Sequence, residues 1–119
     1  MPENYILPFD TTAHWLSNNF LKNYSKQKRD IFISSLKESL RAYYDTPEFN
    51  SNPEDIGLYS NRLKPSPPLI NALYLSGVPL YDFPSHMQVV IKSDGTVIAY
   101  NPESNANCPA RSIIFKPKS

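Results

Sequence analysis

Segment 86–100, HMQVVIKSDGTVIAY, constrains the fold more than any other part of the chain: two short apolar-alternating runs are joined by Ser93-Asp94-Gly95. A three-residue loop with Gly95 in the left-handed position closes such runs into a β-hairpin. The register then pairs Lys92 with Thr96, Ile91 with Val97, Val90 with Ile98, Val89 with Ala99 and Gln88 with Tyr100. Side chains alternate across a strand, so Met87, Val89, Ile91, Val97 and Ala99 share one face, with the composition of a core. The other face presents His86, Gln88, Val90, Lys92, Thr96, Ile98 and Tyr100, apolar at its centre and polar at both ends. Only this second face is suited to hold a site.

A lone two-stranded hairpin is marginal in water and must find more partners. After the polar loop 101–110, the run 111–116 supplies a further strand, in which Ile113 and Phe115 alternate with Ser112, Ile114 and Lys116. Helices are needed to cover the core face. Thr11 or Thr12 caps a first helix with Leu16, Phe20 and Tyr24 at four-residue spacing and Trp15 beside them. Ser25 caps a second, over 26–44, whose stripe is Ile31, Phe32, Leu36, Leu40, Tyr43 and Tyr44 and which ends before Asp45-Thr46-Pro47. Ser66 as cap, Pro67 at the first position and Gly77 as stop mark a short third helix that buries Leu69, Ile70 and Leu73.

Twelve prolines against three glycines fall mainly between these segments, where they fix φ and stiffen the connections. Segment 47–68, anchored by Ile56, Leu58, Tyr59 and Leu63, reads as a packed loop, and 78–84 as an extended connector or edge. The fold class that follows is α+β. Two to three N-terminal helices (about 11–76) pack on a small C-terminal antiparallel sheet (about 86–117) containing the hairpin. At 119 residues this is one domain, 1–119, with the second helix against the core face of the sheet.

Twelve basic and eleven acidic residues leave a formal charge of +1, which supplies no field to draw the chain onto nucleic acid or an anionic membrane. The N-terminal MPENYILPFD has neither a basic segment nor a continuous apolar one, and no apolar run approaches the ~20 residues of a membrane span. The expectation is a soluble, cytoplasmic protein. Cys108 is the single cysteine, which excludes an internal disulfide, and the thiol reads as incidental rather than as a metal ligand. With Gly57, Gly77 and Gly95 the only glycines, there is no phosphate-binding loop, and no metal-ligand spacing or nucleophile elbow occurs. No cofactor and no metal are expected.

Three classes of function remain. The preferred one is a non-catalytic protein-binding domain, an adaptor, inhibitor or immunity-type protein, whose binding residues are Gln88, Val90, Lys92, Ile98 and Tyr100. Tyrosines are in excess of core needs, and Tyr5, Phe49, Tyr59 and Tyr81 fall between the periodic segments, where aromatics with polar tips anchor interfaces. The partner is another protein, with a second copy of the chain a further candidate. The alternative is metal-independent RNA cleavage by His86, Tyr100 and Arg111, with Gln88 nearby: a base, a hydroxyl donor and a cation for phosphate. In layout, helices followed by an antiparallel sheet, the chain resembles the small endoribonuclease toxins of bacteria, although no motif carries the likeness. A third class, nucleic-acid binding without chemistry, rests on 22–29, where Lys22, Lys26, Lys28 and Arg29 surround Tyr24. His14, beside Trp15 in the first helix, reads as a surface residue.

Overall fold

The computed structural model describes residues 3–102 and 110–117; Cys108 lies outside them. A 3-10 turn (Glu3–Tyr5) leads into α1 (Ile6–Phe20), α2 (Lys26–Tyr44), α3 (Pro47–Ser51), β1 (Ile56–Tyr59) and α4 (Pro67–Ser76). A second 3-10 turn (Leu80–Asp82) precedes β2 (Gln88–Ile91), β3 (Val97–Tyr100) and β4 (Arg111–Phe115). The four strands form one antiparallel sheet in the order β1-β2-β3-β4. The architecture is α+β, with the helices mostly N-terminal and the sheet mostly C-terminal. None of these helices is long and apolar enough to cross a membrane.

The hairpin has the expected register, from Gln88 opposite Tyr100 to Ile91 opposite Val97. Lys92 N–H donates to Thr96 O and Gly95 N–H to Lys92 O, each at 2.8 Å, and Gly95 takes φ +94°. Asp94 Oδ1 accepts Thr96 N–H at 2.8 Å, an Asx-type bond that fixes the turn from within. Met87, Val89, Ile91, Val97 and Ala99 are buried and belong to one cluster with Leu16 of α1, Phe32, Leu36 and Leu40 of α2, and Leu69 and Leu73 of α4. Helix α2, expected against the sheet's core face, packs mainly against α4 and α1, and the main helix-to-strand contacts are those of α1 with β4 and of α4 with β1.

Helix α2 has the expected limits, and Ser25 Oγ accepts Lys28 N–H at 3.2 Å as its cap. Its buried stripe is narrower than its apolar pattern, because Ile31 and Tyr43 are exposed while Ser35 and Ser39 are buried. These small residues let α4 approach closely, and Asn71 Nδ2 donates to Ser39 Oγ at 2.7 Å across the contact. On α4, Gly77 stops the helix at φ +72°, and Ile70 is turned outward instead of joining Leu69 and Leu73.

Further expectations need correction. Helix α1 begins at Ile6, five residues before Thr11, because Pro8 sits in the first turn, where a missing N–H breaks no helical bond. Tyr24 lies beyond the end of α1 and its hydroxyl donates to the Asp82 carboxylate. Segment 47–68 is not all loop: it holds α3 and the strand β1, in which buried Ile56 and Leu58 pair with Ile91 and Val89. In β4, a bulge between the pairs Ile98–Ile113 and Val97–Phe115 breaks the alternation, so that Ile113 and Phe115 face opposite sides.

Ser66 also departs from its expected role. It occupies the cap position of α4, but its hydroxyl bonds no N–H of that helix. Instead Tyr59 N–H donates to Ser66 Oγ at 2.7 Å and Ser66 N–H donates to Tyr59 O at 3.0 Å, along the margin of β1 away from β2. Connector 78–84 is held by Arg62, which donates to Leu80 O (3.1 Å) and Phe83 O (2.6 Å) as well as to Ser60 O (3.0 Å). Two carbonyls of the connector are thus tied through one guanidinium to Ser60, in a segment whose prolines cannot join a ladder.

A candidate protein-binding face on the outer side of the sheet

The sheet's core face is filled by helices, and the alternation of each strand places a second set of side chains on the opposite side. Register organises them into two rows that cross all four strands. One runs Tyr59, Gln88, Tyr100, Arg111; the other runs Gly57, Val90, Ile98, Ile113. Neighbours in such rows stand about 4.5–5.5 Å apart at Cβ and interact directly. The first row is aromatic and polar, with the Arg111 guanidinium 5.9 Å from the centre of the Tyr100 ring. The second is aliphatic.

Gly57 leaves a gap in the aliphatic row, and the Tyr59 ring folds back along its own strand to fill it. A Cβ at position 57 would overlap that ring. Exposure is graded across the face: the edge residues Tyr59 and Ile113 are 42% and 48% exposed, whereas central Ile98 is 8% exposed. Gln88, Val90 and Tyr100 lie between these limits. The result is an apolar centre with aromatic, amide and guanidinium groups around it.

Of the residues singled out from the sequence, Gln88, Tyr100 and Arg111 stand in one row, and Val90 and Ile98 in the next. Lys92 is exposed at the far end, beside the turn. His86 is exposed ahead of β2, two residues before Gln88, and makes no hydrogen bond, ion pair or ring contact among the described residues. Tyr59, Gly57 and Ile113 were not assigned to this face by sequence reasoning. The signal for the first two was the alternation in Ile56-Gly57-Leu58-Tyr59; for Ile113 the bulge left none.

The loop aromatics divide. Tyr5 is fully buried and donates from its hydroxyl to Glu54 O at 2.9 Å, and Phe49 packs between Tyr5 and Tyr44 with ring centres 5.2 and 5.5 Å away. These two pin α3 to the core, and neither lies on the outer face of the sheet. Tyr81 is exposed in the second 3-10 turn. In the basic segment 22–29, Lys26 pairs with Asp30 at 2.7 Å and Lys28 lies 5.6 Å over the Tyr24 ring, so part of its charge is used locally. Hydrogen bonding to Asp82, with burial and nearby charge adding, raises the Tyr24 pKa. His14 lies on the surface of α1, with Nδ1 2.9 Å from Asp10 O and 3.5 Å from Asp10 Oδ1, while Lys37 Nζ is 2.9 Å from that same carboxylate oxygen. Among the described residues no group of three or more His, Cys, Asp or Glu side chains is arranged to hold a metal ion.

Neither a protein-family model nor a curated protein with significant similarity matches the chain.

Proposed function

We propose that the chain is a small, soluble, non-catalytic domain that holds another protein against the outer face of its sheet, as an adaptor, inhibitor or immunity-type protein does. The supporting observation is the pair of cross-strand rows, which sets aliphatic Val90, Ile98 and Ile113 beside Tyr59, Tyr100 and Arg111. Tyrosine and arginine around a desolvating apolar centre are the residues that carry most binding energy at protein interfaces. The complementary partner surface is apolar at its middle and offers a carboxylate to Arg111. Action in the cytoplasm belongs to the same proposal.

Tagged protein from its native cells tests the reading directly. Wild type recovers a specific partner, and Ile113→Asp and Tyr100→Ala each lose it while retaining the wild-type circular dichroism spectrum. A wild-type chain that captures nothing specific overturns the proposal.

A second reading, metal-independent RNA cleavage, is favoured by one observation: the Tyr100 hydroxyl and the Arg111 guanidinium belong to adjacent residues of one row. Under that reading His86→Ala abolishes cleavage of total RNA without moving the denaturant midpoint, because an exposed polar side chain ahead of a strand contributes little to the core.

A further inference from the structure

The C-terminal end of α2 and the short helix α3 enclose a cavity of about 340 Å³, at the small end of ligand-pocket sizes, lined by Tyr43, Tyr44, Thr46, Glu48, Phe49, Asn52 and Glu54. Three of its walls are aromatic. The Tyr43 and Tyr44 rings meet edge-on, with centres 4.9 Å apart and planes 71° apart, and Tyr44 and Phe49 are 5.5 Å apart at 52°. Aromatic side chains grouped around one cavity are the kind of wall that receives a cation.

The electrostatics of the cavity point the same way. Its lining includes two carboxylates and no basic side chain. Neither Glu48 nor Glu54 forms an ion pair among the described residues. Helix α2 ends at Tyr44, so the negative pole of a 19-residue helix faces this region. Asp45, the next residue, is held below the usual carboxylate range, first by the hydrogen bond from Asn50, with Arg41 among the smaller contributors. Burial, with smaller contributions from Tyr43 and Tyr59, raises the Tyr44 pKa and keeps its phenol neutral. The walls are pre-formed: Phe49 is fixed by Tyr5, and Phe49 N–H is bonded to Thr46 Oγ1 at 3.2 Å.

From the aromatic walls and the two carboxylates that form no ion pair among the described residues we infer that this cavity binds a substituted ammonium group. A free quaternary amine and the methylated lysine of a protein share that chemistry. An inorganic cation must shed tightly held water to reach the rings, and a neutral apolar ligand does not exploit Glu48 and Glu54. The inference is independent of the outer sheet face.

Titrating the full chain with tetramethylammonium, followed by the ring-proton NMR signals of Tyr43, Tyr44 and Phe49, tests it. The expected result is a saturable shift of these signals and none from neopentyl alcohol, a neutral group of similar shape. Tyr43→Ala, at a residue 54% exposed, abolishes the shift with the circular dichroism spectrum unchanged. The double change Glu48→Gln and Glu54→Gln weakens binding by about fivefold or more. Choline against a peptide carrying trimethyl-lysine then identifies the source, the tighter of the two being the natural class. No shift with tetramethylammonium, an equal shift with the neutral analogue, or undiminished binding by folded Tyr43→Ala overturns the inference.

Discussion

The two faces of the sheet are built from the same four strands, yet they answer to different demands. On the core side Ile56, Leu58, Met87, Val89, Ile91, Val97 and Ala99 are all buried and apolar, and a polar residue, Ser112 opposite Ala99, stands only on the half-buried strand β4. On the outer side the same backbone carries a glycine, two tyrosines, an amide, a guanidinium and three aliphatics. Burial against helices leaves one chemistry open, because an unpaired polar group there costs several kcal/mol. A face free of that demand keeps a mixed composition. The lesson is that the core face holds information about stability, and the outer face about what the molecule touches.

Substitutions at the core, the turn and the outer face break or sharpen this comparison. The largest effect is expected in the core: Ile91→Ala, or Leu36→Ala on the helix it shares a cluster with, costs about 2–5 kcal/mol. Denaturant midpoints left in place by both would dissolve the distinction between the faces. Gly95→Ala comes next, at about 1–2 kcal/mol, because a φ of +94° is unfavourable for any L side chain and the new Cβ would stand 3.1 Å from Asn4 O. Gly57→Ala acts on the other side. The added methyl displaces the Tyr59 ring, a flexible side chain, so stability falls by less than about 1 kcal/mol. Partner capture by that variant drops as it does for Tyr59→Ala, which a pull-down reads. The smallest expected change in stability is that of Ile113→Asp, within about 0.5 kcal/mol for an exposed edge residue.

A pH series probes the turn that joins the two central strands. The bond from Thr96 N–H holds the Asp94 carboxyl below the usual carboxylate range. A folded-state pKa below the unfolded one gives a stabilisation that is complete above the ordinary carboxylate pKa. It is lost as the pH falls through the lowered value. Asp94→Asn should therefore shrink the gap between unfolding midpoints measured at neutral pH and in acid. An unchanged gap rules out this bond as a source of acid sensitivity.

The hairpin, its register and the left-handed Gly95 were legible in the sequence because each rests on a short-range rule: alternation, a three-residue loop, and one residue that tolerates positive φ. The limits of α2 and α4 were legible for the same reason, through Ser25, Pro67 and Gly77. What escaped was decided at longer range. Strand β1 is four residues long with a glycine inside it, and its identity as a strand comes from β2 beside it. The outward turn of Ile113 depends on a bulge that only the pairing with β3 reveals. Tyr5 reads as a loop residue until its hydroxyl is seen to meet Glu54, 49 positions along the chain. The outer face was half visible, since the hairpin supplied Gln88, Val90, Ile98 and Tyr100 while its two flanking columns came from strands whose register the sequence did not contain.

The exchange of hydrogen bonds between Ser66 and Tyr59 has a consequence for how copies of this molecule meet. Endless assembly through strand pairing requires each unit to be adhesive at two opposite borders, one to accept a neighbour and one to offer itself to the next. Here the β1 border is partly satisfied by the molecule's own Ser66, which takes up both backbone groups of Tyr59 and whose hydroxyl also donates to Gly57 O at 3.4 Å. That leaves fewer free backbone groups on the β1 border than an open edge offers, so strand-to-strand growth from the native fold is disfavoured on that side.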